Sequence, residues 1–176
     1  RAFLGIADPF LEKALGIKDF HKPFRAAINA MKASDANPTH LNQQRVVDYL
    51  QQASGKDPQA VNQAIADFYE HAFPQLEACI RPVEGAAALI EWLQSRGYTI
   101  VIATNPLYSA RALEWRLRWA ELNDNLDHYA FVTHAENMHT AKPHAAYYAE
   151  ILARVGIEPD EAVMIGDGQK NDISPA

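Results

Sequence analysis

Tyr98-Thr99-Ile100-Val101-Ile102-Ala103-Thr104-Asn105-Pro106 is the stretch on which the fold turns. Tyr98–Ala103 is a continuous β-branched and apolar run, which predicts a strand buried on both faces. Thr104 ends it, and Asn105-Pro106 turns the chain away. Upstream, a helix is predicted over about 84–95, with Leu89 and Leu93 on one face and Gly97 closing it. Downstream come a helix near 109–120, a short strand over Tyr129–Thr133, a helix over Pro143–Arg154 closed by Gly156, and a strand over Ala162–Ile165. Strands alternating with helices imply right-handed βαβ crossovers and an α/β, doubly wound parallel sheet. Ligands of such sheets bind beyond the carboxyl ends of the strands, where Thr104 and Asp167 fall.

Residues 1 to about 80 read differently, as helices without a convincing strand. Asp57-Pro58 caps and opens a helix whose apolar residues Val61, Ala64, Ile65, Phe68 and Ala72 recur at helical spacing. A second helix is predicted from about Thr39 through Val46, Val47, Leu50 and Ala53 to Ser54-Gly55. A third covers about Pro23 to Met31 and stops at Ser34-Asp35-Ala36-Asn37-Pro38. The chain therefore divides into an α-helical subdomain over 1–80 and an α/β core over 81–176.

The 176 residues carry 16 basic and 22 acidic side chains, for a net charge of -6, with no dense Lys/Arg run. That balance disfavours a nucleic-acid partner. No stretch is apolar enough over sufficient length to suggest a membrane span. Cys79 is the only cysteine, so an internal disulfide is ruled out, and a small buried hydrophobe is expected there. A reducing cytoplasm is the default compartment.

Three segments of the α/β half carry groups suited to an anion and a cation. The Thr104 hydroxyl, with Asn105 and nearby backbone N–H groups, can donate to phosphoryl oxygens. Lys142, before Pro143, can place a point charge beside a phosphate. Gly166-Asp167-Gly168 with Asp172 five residues beyond Asp167 brackets a strand-to-helix turn with two carboxylates. Such a pair suits Mg²⁺, which takes few protein oxygens and keeps several waters. Asp172 could instead orient a lysine or a water. Each residue alone has a plain reading: a turn cap, a surface lysine, a Gly-rich turn. Their order and shared position at strand ends join them. His134, His139 and His144 lie at five-residue intervals across a loop, with no ligand geometry. Trp115 and Trp119 are expected to pack, and Arg111, Arg116 and Arg118 on the same helix to be mostly solvated. His21, Lys22 and Arg25 read as a solvated helix start, with a substrate anion as their other possible contact.

Thr104, Lys142-Pro143, and Gly166-Asp167 through Asp172 together resemble the second, third and fourth motifs of the haloacid dehalogenase-like hydrolase superfamily. The resemblance covers nearly the whole chain and implies a Rossmann-like core with the helical subdomain as a cap. It implies an Mg²⁺-dependent phosphatase of a small phosphorylated metabolite, acting through an aspartyl-phosphate. Thr104 and Asn105 would bind the phosphoryl oxygens, Lys142 would stabilise the nucleophile and the transferring group, and Asp167 would hold Mg²⁺ with Asp172. The family's first motif, DxDx[TV], has no counterpart: Asp8, taken as an acid before a helix, has no partner two residues on. The family's first strand lies between those ending at Thr104 and Asp167. The 176 residues are therefore expected to be an excerpt, incomplete at both ends and inactive alone. A phosphomutase, a dehalogenase of the same fold and a non-catalytic binding protein are the alternatives.

Overall fold

The computed structural model describes residues 2–33 and 39–176. Among these residues the order is α1 (Ala2–Leu15), α2 (His21–Ala33), α3 (Asn42–Ser54), α4 (Pro58–Asp67), α5 (Ala86–Ser95), β1 (Val101–Ile102), α6 (Ala110–Trp119), β2 (Phe131–Val132) and α7 (Ala145–Val155). The stop expected for α2 at Ser34-Asp35-Ala36-Asn37-Pro38 lies outside the described residues.

The helical half forms as its caps dictate. Asp57 accepts the Ala60 N–H at 2.9 Å, and Pro58 opens α4. In α1, Ala7, Leu11 and Leu15 recur every fourth residue and bury one face, so the helix runs through Asp8-Pro9. Asp8 therefore lies inside a helix rather than before one, which corrects the expectation for it. These faces meet in one cluster that includes Phe20, Met31, Leu50, Phe68 and Phe73. The cluster continues into α6 through Ala112 and Trp119, with Tyr108 and Trp115 packed against it. Trp115 and Trp119 stack at 6.3 Å, in the packing role expected of them. Cys79 is exposed, not buried: it ends the short turn Phe73–Cys79, past the last buried residue, Leu76.

In the α/β half, β1 and β2 pair in parallel, Val101 opposite Phe131 and Ile102 opposite Val132. Ala130 N–H to Ile100 O at 3.0 Å and Thr133 N–H to Ile102 O at 3.1 Å extend the ladder. Side chains alternate across it. Ile100, Ile102 and Val132 meet Leu113 and Leu117 of α6 and Ile90 of α5. Val101, Ala103 and Phe131 meet Met138, and Tyr147 and Ile151 of α7. Helices thus cover both faces of the pair, as the unalternating Tyr98–Ala103 run implied.

The sheet is smaller than expected. Among the described residues it has two strands, and β1 is two residues long. Ala162–Ile165, predicted as a strand, is irregular, with Val163 87% and Ile165 66% exposed. A strand exists only where a neighbour satisfies its N–H and C=O groups, and among the described residues none runs alongside this segment.

Candidate active site

The carboxyl end of β1 is fixed by two buried hydroxyls. Thr133 Oγ1 donates to Thr104 O at 2.6 Å, and Tyr147 OH donates to the same oxygen at 2.7 Å. One carbonyl has two lone pairs, so it can accept both. Tyr147 is fully buried, and that burial pushes its phenol pKa well up, keeping it a donor. The Thr104 carbonyl is thereby taken up, and its side chain projects from the strand end with Oγ1 accepting from Arg116. Asn105 follows with its Oδ1 buried and without a partner among the described residues, an acceptor that a ligand donor would satisfy.

Lys142 arrives on a loop gripped from the helical half. The first N–H groups of α3 find their acceptors there: Asn42 N–H donates to Met138 O and Gln43 N–H to Ala135 O, both at 2.9 Å. The Asn42 side chain, fully buried, donates to Thr140 O at 3.0 Å. Arg45 adds a bond to His139 O at 3.0 Å. Two residues past Thr140, Lys142 is 6% exposed, with Nζ 5.6 Å from the Tyr147 ring centroid.

The partner of Lys142 is Asp172, itself 7% exposed, at 2.5 Å. The ammonium on Oδ1 holds the Asp172 carboxyl below the usual carboxylate range. The Gly168 N–H on Oδ2, at 2.9 Å, lowers it further, while burial opposes both. A wide turn over Gln169–Ile173 folds Asp172 back onto its own glycines. A Cβ at Gly166 would lie 2.7 Å from Asp172 Cβ, and one at Gly168 2.7 Å from Asp172 Oδ2. Glycine is needed at both places because a carboxylate occupies the space.

Thr104, Tyr147, Lys142, Asp172 and Gly168 therefore form one continuous run of contacts at the strand end. Asp167, next to Gly168, is exposed and has no hydrogen-bond or ion-pair partner among the described residues. Both oxygens of Asp172 are engaged, Oδ1 by the Lys142 ammonium and Oδ2 by the Gly168 N–H. No cluster of three His, Cys, Asp or Glu ligands exists among the described residues. A donor set of one free carboxylate suits a Mg²⁺ ion that fills its shell with waters and substrate oxygens. The loop histidines go to separate partners: His134 to Glu136, His139 to Glu150, and His144 to the Lys32 carbonyl. His21 faces Asp8 at 3.4 Å and Lys22 pairs with Asp19.

Sequence reasoning missed Thr133, Tyr147, Asn42 and Arg116. Tyr147 and Thr133 look like ordinary core residues, and nothing local marks Asn42, whose acceptor lies 98 residues away. Arg116, expected in solvent, is partly buried and donates to Thr104 Oγ1 at 3.5 Å. Its one signal is position: it sits inside the first helix after a strand-end threonine. Arg116 thus contacts the Thr104 hydroxyl directly, while Lys142 is linked to the same strand end through Tyr147.

No helix among the described residues is long and apolar enough to cross a membrane. Among known proteins, the chain is 32% identical over 128 residues to a protein of Rhodospirillum rubrum named phosphoglycolate phosphatase. The match takes in 72% of this chain and 50% of that protein, so the chain spans about half the length of the curated relative it matches. Residues 5–176 match the family described as haloacid dehalogenase-like hydrolase. The resemblance carried by Thr104, Lys142-Pro143 and Gly166–Asp172 thus holds over nearly the whole chain, which belongs to the haloacid dehalogenase-like hydrolase family.

Proposed function

We propose that the full-length protein is a phosphatase, a phosphoric monoester hydrolase acting on a small phosphorylated metabolite. The observation that carries this reading is the buried Lys142–Asp172 pair beside the Thr104 strand end. A buried ammonium is costly to maintain, and a carboxylate that aims it while anchored by the Gly168 N–H suits a group meant to meet an anion. The similarity to a phosphoglycolate phosphatase supports the same reaction class.

In this reading Thr104 Oγ1 and the following backbone N–H groups bind the phosphoryl oxygens. Lys142 stabilises the negative charge of the nucleophile and of the transferring group, and Asp172 sets its position. Asp167 holds Mg²⁺ together with waters; when bound, the ion offsets repulsion between an anionic nucleophile and an anionic phosphate. Residues 1–80 act as a cap over the leaving group, and the exposed thiol of Cys79 suits a reducing cytoplasm.

The test is hydrolysis of p-nitrophenyl phosphate by the full-length protein. Activity should require Mg²⁺, vanish with EDTA, and fall at least about a hundredfold in Lys142→Ala, the scale of losing a charged stabilising group. Activity indifferent to EDTA would remove Asp167 from the reaction. Unchanged kcat in Lys142→Ala would remove the phosphatase reading.

A further inference from the structure

Helix α6 carries three arginines, and two of them are neutralised. Arg111 is bound to Glu70 at 2.7 Å and to Glu114 at 2.6 Å. Arg118 is bound to Asp124 at 2.5 Å. Both also lie over the Trp115 ring, at 4.6 and 4.8 Å. Arg116 differs in its partners. Among the described residues it has no carboxylate partner, it is partly buried, and its guanidinium lies 5.4 Å from the Tyr108 ring centroid. Its one hydrogen bond goes to Thr104 Oγ1.

That bond decides what Thr104 can do. A threonine hydroxyl has one proton and two lone pairs. Arg116 occupies a lone pair, and neither the Thr133 nor the Tyr147 hydroxyl reaches Oγ1, because both are spent on the Thr104 carbonyl. The Thr104 proton has no acceptor among the described residues, so it is available to an incoming oxygen. A guanidinium has five N–H donors in a planar fork, and Arg116 uses one of them on the protein. Stacking on Tyr108 limits the orientations of the others. A hydroxyl donor and an uncompensated fork, side by side at the end of a parallel strand, match a tetrahedral oxyanion better than any neutral group.

We propose that Arg116 is a second anion-binding residue of the phosphoryl site: it binds the oxyanion of a phosphomonoester alongside Thr104 and holds the Thr104 hydroxyl as a donor to it. This rests on the phosphatase reading and adds a residue to it. Lys142 and Arg116 then serve different ends, the first a point charge aimed by Asp172, the second a fork coupled to the hydroxyl.

The test uses full-length protein and two probes, p-nitrophenyl phosphate and inorganic phosphate. Arg116→Gln should raise KM and the inhibition constant for phosphate about tenfold or more, the scale of one lost charge-assisted hydrogen bond. Arg116→Lys, which keeps charge without the fork, should fall between Gln and the wild type. In a Thr104→Val background the Arg116→Gln effect should shrink, because the two groups act on one anion. Arg118→Gln, on the same helix but paired outside the site, should change neither constant. Calorimetric titration with phosphate gives a readout independent of turnover. Equal phosphate affinity in wild type and Arg116→Gln overturns the proposal, as does a lowered melting temperature with unchanged phosphate affinity, which makes the Tyr108 stack merely structural. A wild type that binds phosphate but hydrolyses nothing removes the phosphatase reading and leaves the Arg116 assignment to the titration. A wild type that binds no phosphate removes both.

Discussion

The helical half and the α/β half of this chain are built on different terms. The first closes over one cluster of buried aliphatic and aromatic side chains that reaches from α1 to Trp119. The second splits its buried residues between the two faces of a two-stranded sheet and leaves Val83, Tyr98, Val163 and Ile165 well exposed. The difference follows from where each element finds its hydrogen-bond partners. A helix satisfies its backbone within itself, so an apolar stripe is enough to seat it. A strand depends on a neighbour, so an apolar run without one stays irregular however β-branched it is.

The contrast can be broken at its strongest point first. Phe68 is buried among the rings of Phe3, Phe10, Tyr69 and Phe73 at centroid distances of 5.6, 5.8, 5.1 and 6.1 Å. Phe68→Ala should cost about 4 kcal/mol in urea unfolding followed by circular dichroism. A loss below about 1 kcal/mol would mean the cluster is not a cooperative unit.

Asp172→Asn tests the other half, where one ion pair replaces a wide core. It leaves the Lys142 ammonium without a counter-charge, at a cost of about 3 kcal/mol. The sign with pH is fixed by the depressed carboxyl. Its stabilisation is complete above the ordinary carboxylate range, about pH 4, and is lost as pH falls through the lower native value. Acid unfolding of Asp172→Asn should therefore be shallower than that of the wild type. Equal slopes would show that the pair does not form in solution.

Tyr147→Phe is subtler. It removes one of two donors to the Thr104 carbonyl and keeps the ring beneath Lys142. About 1 kcal/mol of stability should go, with kcat reduced more than KM is raised. At the low end, Val163→Ser should alter unfolding by less than about 0.5 kcal/mol, since a side chain already in water has little burial to lose. A larger loss would place Val163 against a neighbour and narrow the difference between the halves.

Legibility in the sequence follows the same division. Asp57-Pro58, the stripe from Val61 to Ala72 and the Ser54-Gly55 stop mark helices from local chemistry alone, and those helices are present. The Tyr98–Ala103 run announced a strand with helices on both faces, and its middle forms one, half-buried at Val101 and Ile102. Its length and the Ala162–Ile165 strand were not readable, since both depend on what lies alongside. Around the end of β1, Thr104, Lys142 and Asp172 could be singled out by residue type and place in βα units. Asn42, Thr133, Tyr147 and Arg116 could not, because their roles exist only through partners from 12 to 98 residues away.

The bond from Asn42 to the Thr140 carbonyl also bears on the order of assembly. A ribosome releases α3 long before the loop that ends in Lys142, and domains made early fold early. The start of α3 can then stand as a ready template, its N–H groups waiting for carbonyls that arrive about a hundred residues later. Closing so wide a loop is slow. The loop that carries Lys142 would then be seated on α3 first, and its counter-charge Asp172 would join it only after a further thirty residues had followed.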